Sequence, residues 1–458
     1  MPQVPGEIFR HYDIRGTVGR NLNPAIAEAI GQAVGSEARA RRMKAIGVGR
    51  DGRLSSPELA DAAARGILAA GVDVIDIGRV TTPMAYFAAY HLDTGCAVMI
   101  TGSHNPRDDN GVKVVLADEA LSGEAIQALR RRIETGDLER GQGQASMADV
   151  RAAYFARIVG DVRLARPMKI VVDGGNGVAG AFAPGLYRAL GCQVEELYCE
   201  VDGRFPHHHP DPSVPANLTG LVARLQAGGG EVGLAFDGDG DRLGVVARDG
   251  RIVYPDRQLM LFADDVLARN PGATVLFDVK STRNLYRWVA DRGGRPLLWK
   301  SGHSLMKAKM RETGALLGGE MSGHVFFAER WYGFDDGLYA GARLLEILSR
   351  HGNPEAVLNA LPDSPCTPEL HVPMGEGEAV RLIARLRDSA RFEGVERVID
   401  LDGVRLEYPD GFSLVRASNT TPALVLRFEA DDAVALDRIQ AACRKALERA
   451  WPGLTLPF

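Results

Sequence analysis

Ser103 stands in the stretch Thr101-Gly102-Ser103-His104-Asn105-Pro106, which follows the apolar run Cys96-Ala97-Val98-Met99-Ile100. The run reads as a short buried strand. Pro106 cannot continue a strand or a helix, so the stretch reads as a turn. A serine presented at a strand end, backed by Gly102 and flanked by polar groups, suits nucleophilic chemistry. An ordinary polar turn looks the same, so the serine needs partners elsewhere in the chain.

A second stretch, Phe236-Asp237-Gly238-Asp239-Gly240-Asp241-Arg242, sets three carboxylates at alternate positions with glycine between them. On a flat strand these would align on one face and repel. Two glycines let the backbone curl, so that oxygens from Asp237, Asp239 and Asp241 converge on one cation. An EF-hand needs Gly at the sixth position and Glu at the twelfth; here these are Arg242 and Arg248. Three carboxylates without His or Cys favour a hard ion such as Mg²⁺ that keeps open positions for phosphate or water. An acidic surface turn is the plain alternative.

Two further loops suit a phosphorylated sugar. Gly318-Gly319-Glu320-Met321-Ser322-Gly323-His324 offers a carboxylate, a hydroxyl and an imidazole at alternate positions. Sugar hydroxyls both donate and accept hydrogen bonds, and this set does the same. Arg416-Ala417-Ser418-Asn419-Thr420-Thr421-Pro422 joins a guanidinium to short hydroxyl and amide groups, which fits a phosphate cradle. Either loop alone could be a plain polar loop; four such loops in one chain argue against coincidence.

Two motifs point elsewhere. Gly175-Asn176-Gly177-Val178-Ala179-Gly180 matches G-x-G-x-x-G after the strand Lys169-Ile170-Val171-Val172, with Glu195 and Glu196 near the place of a ribose-binding acid. Asp173 stands between strand and glycines and Pro184 interrupts the early helix, so a tight turn is the expected role. His207-His208-His209 lies on a Pro-rich extended segment. Adjacent side chains there point in different directions, which fits a surface or inter-domain loop better than a metal site.

The elements that must position these loops alternate between helix and strand. Asn23-Pro24 starts a helix running toward Ala40, in an N-cap/N1 arrangement. A strand over Ala45–Gly49 follows. Ser55 and Glu58 then stand at capping-box spacing before a helix that stops near Gly71, and Val72–Ile77 reads as the next strand. This β-α-β rhythm implies a mainly parallel, covered sheet. It resumes at Met168–Val172, Val232–Phe236 and Thr274–Phe277, each running into an Asp: Asp173, Asp237 and Asp278, with Asp51 as a counterpart in the first unit. That suggests three related α/β units. Glu139–Ser146 reads as a linker or helix entry and Pro362–Pro368 as a break. Beyond it come a helix near Glu378–Leu386, short strands and a last helix near Ala433–Ala450, as in a smaller α+β domain.

Composition sets the outer bounds. A chain of 458 residues is too long for one core, and three or four domains are expected. Hydrophobic content of 45% and charged content of 25% are those of a soluble globular protein. A net charge of −5 gives no overall attraction to nucleic acid or anionic membrane. No stretch has the length of a membrane span, and the start lacks the basic and apolar regions of a signal peptide. Five cysteines without a C-x-x-C pair fit reduced, buried thiols. The expectation is a cytoplasmic protein without nucleic-acid or membrane partners.

The loops in this order resemble those of the α-D-phosphohexomutase family, nearest to its bacterial phosphomannomutase/phosphoglucomutase branch. His11-Tyr12-Asp13-Ile14-Arg15-Gly16, T-G-S-H-N-P, D-G-D-G-D-R, G-E-M-S-G-H and R-A-S-N-T-T-P carry the resemblance over essentially the whole chain. It implies an α/β fold of four domains around a central cleft, three related mixed α/β domains and a C-terminal α+β domain. On the boundaries read here these are 1–148 with the phosphoserine loop, 149–252 with the metal loop, 253–364 with the sugar loop and 365–458 with the phosphate loop. A monomer binding phosphorylated hexoses is expected.

The resemblance also implies roles. Ser103 would be the phosphoserine, with Asp237, Asp239 and Asp241 as Mg²⁺ ligands and a phosphate oxygen on Ser103 completing the site. Arg242, Arg15 and Lys113 would surround the transferring phosphoryl, with Lys113 or His303 moving the proton; a Lys near cations can have the lowered pKa this needs. Glu320 and Ser322 would read sugar hydroxyls, and Arg416, Ser418, Asn419 and Thr420 would clamp the distal phosphate. Tyr12, His104, Lys280, Gly302, His303 and His324 would line the cleft.

The implied activity is reversible interconversion of hexose 1-phosphate and hexose 6-phosphate, for mannose and/or glucose. It would run through a hexose 1,6-bisphosphate that also serves as activator. Thr101-Gly102 before Ser103, with Glu320-Met321-Ser322, favours the mannose/glucose branch over the glucosamine branches. A metal-dependent serine phosphatase would use Ser103 and the Asp cluster but needs no second phosphate clamp. A sugar-binding protein would not need three Asp beside a presented Ser, and NAD(P) binding would identify a dinucleotide enzyme.

Overall fold

The computed structural model describes residues 3–389, 392–418 and 422–458. Three mixed α/β sheets and one antiparallel sheet follow one another along the chain. In the first, Ala45–Arg50 pairs in parallel with Asp73–Arg79 and Ala97–Ile100, and Asp109–Leu116 runs antiparallel to Ala97–Ile100. In the second, Lys169–Asp173 pairs in parallel with Gln193–Leu197 and Val232–Phe236, and Leu243–Ala247 runs antiparallel to Val232–Phe236. In the third, Thr274–Asp278 pairs in parallel with Arg295–Trp299 and Leu317–Gly319, and Val325–Phe327 runs antiparallel to Leu317–Gly319. The same four-strand plan recurs three times, as the α/β rhythm predicts.

This plan places the chemistry. Each loop of interest in the α/β units joins a buried parallel strand to its antiparallel partner. The Ser103 loop follows Ala97–Ile100, the Asp loop follows Val232–Phe236, and the Glu320 loop follows Leu317–Gly319. In the fourth domain the Arg416 loop likewise joins two antiparallel strands, Gly411–Ala417 and Ala423–Ala430. The repeat also corrects one expectation. The structural counterparts are Asp51, Asp173 and Asp278, which close the central strands; Asp237 belongs to the hairpin loop beside one of them. Asp51 Oδ2 accepts from the Gly102 amide at 3.1 Å, and Asp278 Oδ1 accepts from the Met321 amide at 3.2 Å. These carboxylates therefore hold the neighbouring functional loops.

Local signals mostly act as read. The helix Pro24–Ala40 begins where expected, with Asn23 Oδ1 accepting from Ile26 N at 3.0 Å. Ser55 does not cap the helix Ser56–Ala69. Asn110 Nδ2 donates to its hydroxyl at 2.8 Å, a contact from a distant strand that outcompetes the local cap. Ala145–Met147, which begins inside the expected linker Glu139–Ser146, instead forms an edge strand parallel to Asp73–Arg79.

One apolar cluster joins the three α/β units, with Phe87, Phe236, Phe277 and Leu338 among its members. The helix Gly337–Ser349 is buried at every position, and Tyr187 donates to its Leu338 carbonyl at 3.0 Å from the second unit. The fourth domain has its own core and docks on the third through a small apolar cluster of Val279 with Phe412 and Leu414 and through ions and hydrogen bonds. Arg405 Nη1 donates to the carbonyls of Val279 and Ser281 at 2.6 and 2.7 Å, and Thr282 Oγ1 donates to Glu429 Oε1 at 2.6 Å. All five thiols are free, four of them buried, as their spacing predicts. Among the described residues no helix is long and apolar enough to cross a membrane.

Candidate active site

Ser103 and the Asp loop meet across the first two domains. Ser103 Oγ donates to Asp237 Oδ2 at 2.8 Å, and Nδ1 of His104 lies 3.2 Å from the same hydroxyl. Ser103 has φ +48°, a left-handed conformation rare for a residue with a Cβ. Thr101 Oγ1 accepts from its amide at 2.8 Å. Arg15 Nη1 donates to the Gly102 carbonyl at 2.6 Å and to Asn105 Oδ1 at 2.8 Å, so Arg15 braces the loop from the first strand. Burial, then Arg242 and Arg15, hold the His104 imidazole well below its usual pKa, which keeps it neutral.

Asp237, Asp239 and Asp241 are fully buried and each offers an oxygen within 4.8 Å of the others. Lys113 Nζ donates to Asp239 Oδ2 at 2.9 Å and Asp241 Oδ2 at 2.5 Å, while Thr82 Oγ1 donates to Asp239 Oδ2 at 2.6 Å. Asp239 Oδ1 and Asp241 Oδ1 are buried without a hydrogen-bond partner. Burial, then repulsion from Asp239 and Asp241, pushes the Asp237 carboxyl well above its usual range. At Asp239 burial acts the same way, but Lys113 and the hydrogen bonds outweigh it and hold that group well below. A buried surplus of carboxylate with open oxygens is what a divalent cation relieves, so the donor set fits Mg²⁺.

The same geometry corrects the expectation for Lys113. Burial alone would lower its pKa, but Asp239 and Asp241 prevail and hold it well above the usual lysine value. Its nearest charges are carboxylates rather than cations. Lys113 is thus an ammonium that neutralises the Asp loop.

The metal loop is tied to the sugar loop by an antiparallel bridge between Arg242 and His324. Arg242 Nε donates to His324 Nε2 at 3.1 Å. A guanidinium only donates, so Nε2 carries the lone pair and the neutral ring carries its proton on Nδ1. That nitrogen faces Asp335 Oδ2 at 3.2 Å and Asp241 Oδ1 at 3.5 Å. His303 stacks on His324 with ring centroids 5.5 Å apart, and burial, then Lys307, hold its pKa well below the usual value.

Across the cleft, Tyr12 OH donates to the Ser301 carbonyl at 2.6 Å, joining the first domain to the third. Gly302 has φ +133°, and a Cβ there would meet the Tyr12 ring at 2.4 Å, so only glycine fits. Glu320 is buried, and its Oε1 accepts from the Gly302 amide at 2.5 Å. Ser322 lies in the same hairpin turn, half-buried. Lys280 Nζ donates to Glu369 Oε1 at 2.6 Å. Arg416 is buried and its Nε donates to Asp402 Oδ2 at 3.1 Å; the same oxygen accepts from Ser301 N at 3.1 Å. The Arg416 loop is therefore joined through Asp402 to the loop that carries Gly302 and His303. Ser418 closes the Arg416 strand, its amide donating to the Ala423 carbonyl at 2.8 Å. Asn419 and Thr420 lie outside the described residues.

The two other motifs find structural uses. Gly177 packs on the metal loop, where a Cβ would meet Gly238 Cα at 2.9 Å, and Val178 N donates to the Gly238 carbonyl at 3.1 Å. Glu195 and Glu196 pair with Arg224 and Arg188. The histidine run lies between domains, with His209 Nε2 hydrogen-bonded to the His104 carbonyl. Asp335, Thr82 and Arg53 escape sequence reading. Thr82 and Arg53 bind residues 157 and 50 positions away, and Asp335 meets His324 from outside the sugar-loop motif, so no local spacing marks them.

A serine held against a buried triple-carboxylate loop, with the Glu320 hairpin and an arginine loop on separate domains, fits a metal-dependent phosphotransferase. Four family models match in order: phosphoglucomutase/phosphomannomutase alpha/beta/alpha domain I over residues 6–140, domain II over 152–250, domain III over 254–364, and the C-terminal domain over 369–446. The chain is 55% identical over 451 residues to a phosphoglucomutase from Neisseria gonorrhoeae, covering 98% of both chains. It is 54% identical over 458 residues to a phosphomannomutase/phosphoglucomutase from Pseudomonas aeruginosa, covering 100% of this chain and 99% of that one. A crystal structure of a phosphoglucomutase/phosphomannomutase family protein from Burkholderia thailandensis superposes with TM-score 0.96 at 56% identity over the whole of both chains. The chain belongs to the phosphoglucomutase/phosphomannomutase family, and it is an enzyme, a phosphotransferase of the mutase type.

Proposed function

We propose that the protein interconverts hexose 1-phosphate and hexose 6-phosphate, of mannose and glucose, through phospho-Ser103 and a hexose 1,6-bisphosphate. The contact of Ser103 Oγ with Asp237 Oδ2 at 2.8 Å carries this reading, because it sets the serine beside the carboxylate cluster. The relatives from Neisseria gonorrhoeae and Pseudomonas aeruginosa, named for glucose and for both sugars, support the substrate class.

Asp237, Asp239 and Asp241 would hold Mg²⁺. When bound, it supplies positive charge to the phosphoryl oxygens, as Lewis-acid sites in phosphoryl transfer do. Phosphoserine carries about −1.5 to −2 charges at neutral pH, so Arg242 and Lys113 also offset repulsion with the substrate. The free hydroxyl of hexose 1-phosphate attacks phosphorus, the bond from phosphorus to Ser103 Oγ breaks, and a hexose 1,6-bisphosphate forms. We assign the hydroxyl's proton to His324 Nε2, in place of the expected Lys113 or His303, with Nε2 giving up its hydrogen bond from Arg242 Nε as the substrate hydroxyl takes that place. Asp335 Oδ2, 3.2 Å from Nδ1, supplies the negative charge that stabilises the imidazolium. The bisphosphate turns in the cleft, and its other phosphoryl returns to Ser103 Oγ while His324 gives the proton back to the sugar oxygen. Arg416 and the loop after it hold whichever phosphate is not reacting, while Glu320 and Ser322 bind sugar hydroxyls. Work in the cytoplasm suits a chain of this composition.

A coupled assay with glucose, mannose, glucosamine and N-acetylglucosamine 1-phosphates, each with its bisphosphate activator, tests the reading. Turnover of the first two well above the amino sugars is expected. Preference for an amino sugar would overturn the assignment, and release of free phosphate without isomerisation would identify a phosphatase.

A further inference from the structure

Every carbonyl oxygen from Gly102 to Pro106 accepts a hydrogen bond from a side chain. Arg15 Nη1 takes Gly102 O at 2.6 Å. Arg53 Nη2 takes Ser103 O at 2.8 Å and Asn105 O at 2.6 Å, and its Nη1 takes Pro106 O at 2.6 Å. The remaining carbonyl, that of His104, is bonded to His209 Nε2 from the second domain. A carbonyl only accepts, so His209 carries a proton on Nε2.

Arg53 and His209 are themselves held. Arg53 is 2% exposed and lies 3.4 Å from the Asp51 carboxylate, and Asp51 also binds the Gly102 amide. His209 is braced through its own carbonyl, which accepts from His208 Nδ1 at 2.9 Å. The other nitrogen of His208 lies 3.1 Å from Asp173 at the end of the central strand. The histidine run thus extends the second sheet to the serine loop.

We propose that Arg53 and His209 are positioning residues for phosphoryl transfer at Ser103, and this rests on the phosphoserine reading above. Ser103 keeps a left-handed φ that a residue with a Cβ leaves unless its neighbours hold it. The carbonyls on either side of its Cα are pinned by Arg15 and Arg53, and the next by His209. Unpaired carbonyl oxygens beside a phosphate dianion would repel it; here each carbonyl's negative end is engaged by a cation or an imidazole N–H. The second domain therefore supports the loop through His209 and presents Asp237 to the serine hydroxyl. Docking of the first domain on the second sets where the phosphoryl sits.

The test compares steady-state kinetics of His209→Leu, His209→Gln, Arg53→Lys and His207→Leu in the full-length enzyme. Misplacement of a reacting group by ~1 Å costs on the order of 10²-fold in rate. His209→Leu and Arg53→Lys are expected to lose kcat on that scale with KM for the hexose 1-phosphate unchanged. His209→Gln, which keeps a donor at that point, is expected to recover most of the rate. His207→Leu, on the same loop but bonded to Asn176, is expected to keep it. Wild-type kcat in His209→Leu would overturn the proposal. So would equal losses in the Leu and Gln variants. If His209→Leu does not fold, Arg53→Lys decides alone by the same split between kcat and KM. Intact mass of the wild-type enzyme after incubation with bisphosphate separates the two readings. No phosphate on Ser103 defeats the phosphoserine mechanism, whereas phosphate on Ser103 with an unimpaired His209→Leu defeats only the positioning role.

Discussion

Ser103 Oγ donates to Asp237 Oδ2 at 2.8 Å although the two residues lie 134 positions apart and on different domains. The hydroxyl that would carry phosphate is therefore already beside the cluster that would hold the cation. Two hairpin loops from repeated units face each other to make this contact, and the helix Thr82–His91, buried from Thr82 to Ala89, locks them together, since Thr82 binds Asp239 through both its amide and its hydroxyl.

Removal of the divalent cation should stop turnover. Chelation is expected to abolish activity and added Mg²⁺ to restore it. Asp239→Asn and Asp241→Asn should each shift the Mg²⁺ titration of activity to higher concentration. A chelated enzyme at full rate would remove the Asp loop from the chemistry.

Arg416 should matter for binding. Loss of a charged hydrogen bond to phosphate costs ~1.5–3 kcal/mol. Arg416→Ala should therefore raise KM by roughly ten- to a hundredfold with a smaller effect on kcat. An unchanged KM would place the distal phosphate elsewhere.

The proton acceptor should be the imidazole of His324. Loss of a general base costs about 10²–10⁴ in rate, and His324→Ala should fall in that range. Asp335→Asn should lower kcat less, with KM held, because the ring keeps its place and loses its carboxylate. A deeper loss in His303→Ala than in His324→Ala would move the role to His303.

The ion pair between Lys280 and Glu369 couples the third and fourth domains. Burial works to raise the Glu369 pKa, but Lys280 outweighs it and holds the carboxyl at about 2. The folded value lies below the unfolded one of about 4.3, so the unfolded chain binds the proton more readily. The pair's stabilisation is present above the unfolded pKa and is lost as pH falls toward the folded value. Thermal midpoints of wild type and Glu369→Gln should therefore approach one another from about pH 5 downward and converge by about pH 1. A gap that stays constant over that window would show that the carboxylate's charge contributes nothing.

Legibility in the sequence followed the range of the forces involved. The Ser103, Asp237–Asp241, Glu320–His324 and Arg416 loops stand out because chemically unusual residues cluster within a few positions. Asn23 capped its helix as read because its partner, Ile26 N, is local. Ser55 did not, because Asn110 reaches it from another strand. The charge state of Lys113 could not be read from its neighbours in the chain, since the carboxylates that raise its pKa lie 126 and 128 positions away. Arg53 is invisible for the same reason, its Ser103 partner lying 50 positions away. The Asp repeat was legible as a rhythm, but pairing was needed to show that Asp237 belongs to a hairpin loop and Asp173 to a central strand.

The most direct test follows the phosphoryl group itself. Enzyme stripped of phosphate and incubated with hexose 1,6-bisphosphate should gain one phosphate, located by peptide mass mapping on Ser103, and should lose it to added hexose 1-phosphate as the bisphosphate reappears. Ser103→Ala should gain none and should not turn over. A Ser103→Ala enzyme with wild-type mutase activity, or a wild-type enzyme that isomerises the sugar phosphate without ever carrying phosphate on Ser103, would contradict the account.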